Sequence, residues 1–485
     1  MTQDDTPETN RSRGYKRSRK QEGIKRACNE CRQQKLRCDV VREPFSSCSR
    51  CRRLGLICRI EATFQRVKKR RYFQHYHKFL PFLNPSKTPD FYHQSSHLLF
   101  WAIVAVASRR YTEDLSLLTS LSRSMPRLLW AVLQSVPQSY HDIKALCLLC
   151  TWPFPLSSSS RDPTLMLSGT MMNLCLHFGL HRPSHAQDFS KFKVVLPLED
   201  LQDRMATWTA CKIVAQSVAT GYGQPSFIPF DDGLKPHDPS IHAHQLSQDL
   251  TDRSKIESLC QRIANTLDSV SHSREVVPAD EIVMQALRED LSQLQTDLVN
   301  SETSGVLMVY ICCAQLHLHL FTLFSSTHSQ VCIESLLSLF EACRVLISLV
   351  RDQEQDILSH CPNYIFQMIL ASGFAVLKLS ASPISEYIDN TSIRTTFNSA
   401  IVAIRKISVS NNDLPGRLAD VLAQLKSRGN RDKKDWQNLQ LNVRSRMSMS
   451  ITFDSLWQWR KGFESNERKA ISGTQYMTPS FINLL

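Results

Sequence analysis

The chain has 485 residues and carries 58 Lys and Arg against 45 Asp and Glu, a formal net charge of +13. The excess sits at one end: residues 1–72 hold 21 basic and 8 acidic side chains, and the rest of the chain is balanced at 37 of each. Glycine is scarce, at 14 residues, and strand-like alternation is nearly absent, so a mainly β architecture is excluded and a basic, polyanion-binding head on a neutral helical body is expected.

Residues 1–24 are polar and charged, with RSRGYKRSRK at 11–20, and read as a disordered basic segment. Next come six cysteines, Cys28, Cys31, Cys38, Cys48, Cys51 and Cys58, spaced C-x2-C-x6-C-x9-C-x2-C-x6-C. Zinc prefers thiolates and takes four of them in a tetrahedron. Two such sites need eight ligand positions, and six sulfurs supply them only if two of the sulfurs bridge. The spacing therefore predicts two Zn2+ per chain in one binuclear cluster. The segment is also an internal repeat, pairing Cys28/Cys48, Cys31/Cys51, Arg32/Arg52, Leu36/Leu56 and Cys38/Cys58. Cys28 and Cys48 are equivalent in the repeat and are the expected bridges. Lys35 stands opposite Gly55, so the two halves are expected to do different work.

Residues 28–58 resemble the DNA-binding module of the fungal six-cysteine binuclear zinc cluster transcription factors, in ACNECRQQKLRCD and in Pro44 between the halves. The resemblance implies a first-half helix around residues 29–36 facing the major groove. Lys35 then occupies the base-contacting position, donating to guanine O6 and N7 of a CGG-like half-site in double-stranded DNA. Lys25, Arg26, Arg32, Arg37, Arg50, Arg52 and Arg53 would hold phosphates and set register. It further implies a nuclear regulator of RNA polymerase II transcription, controlling a metabolic or biosynthetic gene set, with the nuclear import and transcription machinery as partners. Two features depart from the family. Gln34 replaces a residue that is often basic, and residues 61–85 contain no sustained heptad for a coiled coil. The chain is then a monomer, or a homodimer or heterodimer formed through its body, or a shortened relative that partners or inhibits a full-length regulator.

Residues 59–74 are expected to be a basic linker, with KKRR at 68–71 suited to phosphate contact or nuclear import. From residue 75 to 485 apolar residues recur at helical spacing. The fold class expected is thus a small module of two short helices around two Zn, followed by a large all-α regulatory domain. Helices are predicted at 94–109, 140–151, 164–179, 198–220, 280–299, 305–325, 331–350, 363–380, 392–408 and 447–461. Breaks are predicted at 151–163, 225–239 and 426–435. The acidic stretch 278–297 reads equally as a surface helix or an activating segment. Within the body, LMLSGTMMNLCLHFGLHRP (165–183) and the segment 198–232, with Arg204, Trp208 and Gly223-Gln224-Pro225, resemble the family's middle homology region. ALCLLCTWPF and RMSMSITFDSLWQWR (446–460) are similar to a subgroup with regulators of amino-acid biosynthesis, weak-acid response and secreted proteases.

Other readings of the same residues are structural. Cys147 and Cys150 form a CxxC inside an apolar run and read as helix core. His177, His181 and His185 are four apart, but Pro183 interrupts them, so they read as structural rather than metal-binding. Residues 97–108 are too short to span a bilayer, and 305–324 carry Gln315, His317 and His319, so both read as buried helices and no membrane partner is expected. No export signal and many free cysteines suggest a reducing compartment. No catalytic fingerprint is present, and the expectation is a non-enzyme.

Overall fold

The structure is a computed structural model describing residues 27–33, 36–40, 46–60, 71–191, 193, 196–226, 246–272, 278–299, 303–324, 330–351, 356–429, 439 and 441–471. The chain divides into two units, Met1–Arg66 and Val67–Leu485. The first holds two one-turn helices, α1 (Asn29–Gln33) and α2 (Ser49–Arg53).

The second unit is helical throughout its described elements. It begins with a π-helical turn, Tyr72–Tyr76, and a 3-10 turn, His77–Phe79. Tyr72 and Tyr76 are buried in the main core, their rings set edge-on to Trp152. The body's packing thus starts at residue 72, inside the stretch read from sequence as linker. Then follow α3 (Pro89–Ser95), α4 (His97–Ser108), α5 (Ser116–Gln134), α6 (Tyr140–Thr151), α7 (Thr164–His177) and α8 (Leu198–Tyr222). After them come α9 (Gln248–His272), α10 (Pro278–Leu298), α11 (Gly305–His319), α12 (Gln330–Arg351) and α13 (Ile357–His360). The last are α14 (Asn363–Ala381), α15 (Asn390–Ile407), α16 (Leu414–Gly429) and α17 (Ser450–Ile471).

The helix starts follow local chemistry. Thr88 accepts from the Phe91 amide ahead of Pro89, and Ser96 accepts from the Leu99 amide at 3.0 Å. At α6 the Ser139 hydroxyl accepts from the His141 amide while the Ser139 amide donates to Asp142. Each cap satisfies an N–H that the helix itself leaves free.

Helices α4, α6, α11 and α14 are apolar nearly all round and form the centre. The segments Gly305–Phe324 and Asn363–Ala381 are long and apolar enough to cross a membrane, yet 78% and 83% of their apolar windows are buried within the protein. From the sequence both were expected as helices, but only the first had been weighed as a membrane span. Cys147 and Cys150 lie in α6 at 0% and 2% exposure, in the core as expected.

Helices α5, α9 and α16 were not anticipated. In α5 the interior Pro126 obscures the buried series Leu117, Leu121, Met125 and Leu129. In α9 the inward face carries Arg253 and Glu257 between Leu250 and Cys260, so the apolar period is broken by charges. Helix α16 runs to Gly429, so residues 426–429 continue a helix where a break was predicted; Leu418, Leu422 and Leu425 hold it against the core. Residues 430–435 and 227–239, from the other predicted breaks, lie outside the described residues. The acidic stretch from 278 is helix α10.

Candidate metal centre and nucleic-acid interface

The repeat seen in the sequence is a repeat in space. The Arg32 amide donates to the Cys28 carbonyl at 2.8 Å, and Arg52 to Cys48 at 3.0 Å. Leu36 donates to Cys31 at 3.0 Å, and Leu56 to Cys51 at 2.9 Å. The Cys28 amide points at the Cys38 sulfur at 3.4 Å, and the Cys48 amide at the Cys58 sulfur at 3.3 Å. The halves are also cross-tied. The Asn29 amide donates to the Arg59 carbonyl at 2.8 Å, and the Ser49 amide to Asp39 Oδ1 at 2.9 Å. Each short helix is thus anchored by the residue that follows the other half's last cysteine. Asp39 had not been singled out; its place after Cys38, in register with Arg59, was the available signal.

These ties bring the thiols together. The Sγ atoms of Cys28, Cys31, Cys48 and Cys51 lie within 4.8 Å of one another. The Cys28–Cys48 separation is 3.8 Å, and Cys28–Cys51 and Cys31–Cys48 are each 3.7 Å. With Zn–S near 2.3 Å, a ZnS4 tetrahedron has an S···S edge of about 3.8 Å. Each of the three separations matches such an edge, and the thiols present fit the group. Two zinc ions per chain are the family's complement. Cys31 and Cys38 would complete one site, Cys51 and Cys58 the other. Burial pushes the Cys31 thiol well above its usual range. Burial also raises Cys48, but the Cys51 amide and neighbouring thiols outweigh it and bring that group to about 7. A site of this kind needs bound cations to keep its sulfurs ionised.

The basic residues divide into groups. Arg37 and Arg53 are exposed, and Arg32 is half-buried. Arg50 is half-buried, with Nη1 4.0 Å from the Cys31 sulfur, so its charge is directed at the cluster. Arg52 is exposed, and its Nη2 donates to Ser46 Oγ at 3.3 Å and Ser47 O at 3.1 Å, bracing the approach to α2. Lys25, Arg26, Lys35 and Pro44 lie outside the described residues.

In the body, the segments that had carried the second resemblance meet one another. Helix α7 ends at Gly179, φ +64°, with the Leu180 amide on the Cys175 carbonyl. Arg204 Nη1 donates to the Phe178 carbonyl at 3.2 Å, and His181 packs against Trp208 at 6.1 Å. Helix α8 ends at Gly223, φ +60°, where an added Cβ would lie 2.2 Å from the Arg446 carbonyl oxygen. The GLHR, Trp208 and Gly-x-Pro features are therefore joints between helices. His177, His181 and His185 form no metal group; among the described residues the cysteines make the one such cluster.

The fungal Zn(2)-Cys(6) binuclear cluster domain matches residues 26–67, and the fungal specific transcription factor domain matches residues 70–271. The chain belongs to the fungal binuclear zinc cluster transcription factor family. It is 24% identical over 466 residues to "Regulatory protein LEU3" of Saccharomyces cerevisiae, covering 83% of this chain and 52% of that protein. It is 24% identical over 403 residues to "Transcriptional regulatory protein SEF1" of Candida albicans, covering 78% and 43%. A match to "Putative transcription factor SEF1" of Eremothecium gossypii is 23% identical over 330 residues, covering 65% and 30%. The chain thus spans about half or less of the length of these relatives. All three are named as regulators rather than enzymes. Within the family, the cysteine unit is the zinc module, and α3 to α9 fall within the match to the fungal specific transcription factor domain.

Proposed function

We propose that the protein is a sequence-specific DNA-binding regulator of RNA polymerase II transcription acting in the nucleus. Its six cysteines hold two zinc ions, with Cys28 and Cys48 bridging, and the module reads CGG-like half-sites. The observation that carries this reading is the duplicated cysteine unit, with sulfurs at the spacing of ZnS4 edges, inside the segment that holds the chain's whole basic excess.

The chemistry follows from that placement. Zinc supplies the cross-link that lets so short a segment hold a shape. Lys35 breaks the internal symmetry and donates to guanine acceptors in the major groove. Lys25, Arg26, Arg32, Arg37 and Arg53 contact phosphates, and Arg50 and Arg52 add charge while bracing the cluster. KKRR at 68–71 serves phosphate contact or nuclear import. Association as a homodimer or heterodimer proceeds through the helical body.

The test is a titration of the zinc-loaded chain against CGG-containing and scrambled duplexes at several salt concentrations. Lys35→Ala should lose about 1–3 kcal/mol on CGG duplexes and little on scrambled ones. Equal losses on both would reduce the module to an electrostatic clamp.

A further inference from the structure

Helix α7 carries no Asp, Glu, Lys or Arg anywhere between Thr164 and Leu180. Its inner face, with Leu167, Met171 and Cys175, is buried against α6 and α8. Its opposite face is equally free of charge but is uncovered. Leu165 and Leu176 are 41% exposed and Met166 is 52% exposed, with Gly169 and Asn173 exposed between them. Phe189, also exposed, lies over Gly179 and extends the patch past the helix end. A helix without charge on any side is ordinarily enclosed, and a contiguous exposed apolar patch marks a contact surface.

Gly169 points the same way. Glycine inside a helix weakens it. Gly221 in α8 and Gly373 in α14 have close neighbours, since an added Cβ would run into Gln367 at the first and lie 3.1 Å from Leu422 at the second. At Gly169 an added Cβ would meet no atom within 4 Å among the described residues. No contact within the described body asks for a bare backbone there. Met166, Gly169, Asn173 and Leu176 also follow a 3-4-3 spacing, the narrow seam along which one helix packs on another.

This seam is complementary to itself. In an antiparallel pair, Gly169 faces the partner's Asn173 and Met166 faces the partner's Leu176. Each hollow at Gly169 receives an Asn173 side chain, and each large apolar residue meets another. The seam sets no charge against a like charge. Arg161 and Arg182 are exposed beyond the helix ends, where an interface rim is polar. A charged partner would find no counter-charge on this face. Residues 61–85 supply no coiled-coil heptad to compete with it.

We propose that α7 is the contact surface between two copies of this chain, packed antiparallel across Gly169 about a twofold axis. This names the surface for association through the helical body, and it does not depend on the reading of the zinc module. A contact of this size associates weakly, with Kd roughly micromolar to tens of micromolar.

The experiment is sedimentation velocity of the full zinc-loaded chain, without DNA, across and above that range. The unaltered chain should pass from monomer to dimer. Gly169→Glu buries an unpaired charge in the seam and should weaken the dimer roughly tenfold or more. Its melting temperature as a monomer should not fall, because the new side chain enters open space and Glu favours helix over Gly. Met166→Glu and Leu176→Lys, both at exposed positions, should each weaken association. Together in one chain they should associate more tightly than either alone, because the two sites meet only across the axis. A chain that stays monomeric throughout would overturn both the surface and the association through the body. A dimer unaffected by Gly169→Glu would overturn the surface alone, as would a double variant no tighter than the single ones.

Discussion

Replacing Cys28 by Ala tests the bridging arrangement most directly. Cys28 Sγ lies 3.8 Å from Cys48 and 3.7 Å from Cys51, and in the proposed arrangement it is a corner common to both tetrahedra. The substitution removes one ligand from each zinc site, whereas Cys58→Ala removes one ligand from a single site. The unit has little else to hold it. Its core is Cys28, Cys31, Cys48, Cys51 and Cys58, with Ala27, Cys38, Val40, Leu56 and Ile60 only partly buried against them. Full burial of one large aliphatic side chain is worth about 1.5–3 kcal/mol, and Val40, Leu56 and Ile60 fall short of that. Ordering each residue costs roughly 1–2 kcal/mol of backbone entropy, so apolar packing does not fold the unit. Structural zinc contributes about 10–16 kcal/mol in modules of this kind. Cys28→Ala should therefore lose both ions and the fold of residues 28–58, while Cys58→Ala should keep up to one ion. Zinc per chain is measured by elemental analysis after dialysis against a chelator. Trypsin reports the fold, since Arg32, Arg37, Arg50, Arg52 and Arg53 become cleavable when the unit opens. If Cys28→Ala retained two zinc ions and stayed resistant to trypsin, the shared-corner geometry would be refuted.

Two further predictions concern the helical unit. Gly223→Ala puts a Cβ into the left-handed region and against the Arg446 carbonyl, so it should destabilise the body by about 2–4 kcal/mol in a denaturant melt; a change under 0.5 kcal/mol would mean that the α8–Arg446 joint is not rigid. Burial lowers His317 from 6.5 to about 4, although its hydrogen bond to the Cys260 carbonyl pulls the other way. Between those values the unfolded chain binds the extra proton. This group's contribution is therefore present above pH 6.5 and lost as pH falls toward 4, up to about 3 kcal/mol. Unfolding free energy measured across that range should flatten in His317→Gln, and an unchanged slope would remove His317 as the cause.

The zinc module was legible in the sequence because its information is local. Ligand type and spacing restrict six thiols to one geometry, and the duplication of Cys28–Cys38 in Cys48–Cys58 marks the two halves. The helices α4, α6, α7, α8, α11, α12, α14 and α15 were legible for a related reason, since their apolar positions recur within a few turns. What tertiary structure decided is which distant segments share a contact. Gly223 is required because the Arg446 carbonyl approaches it, and Arg204 is required because the Phe178 carbonyl at the end of α7 needs a donor. Neither need is visible along the chain. The same holds for α9, whose Arg253 and Glu257 look like surface charges in sequence. They are buried because Ser217 and Tyr310, from two other helices, supply a hydroxyl and a ring face to meet them. Burying a charge is unfavourable alone and tolerable only among partners. Where the partners come from remote segments, only the folded arrangement identifies them.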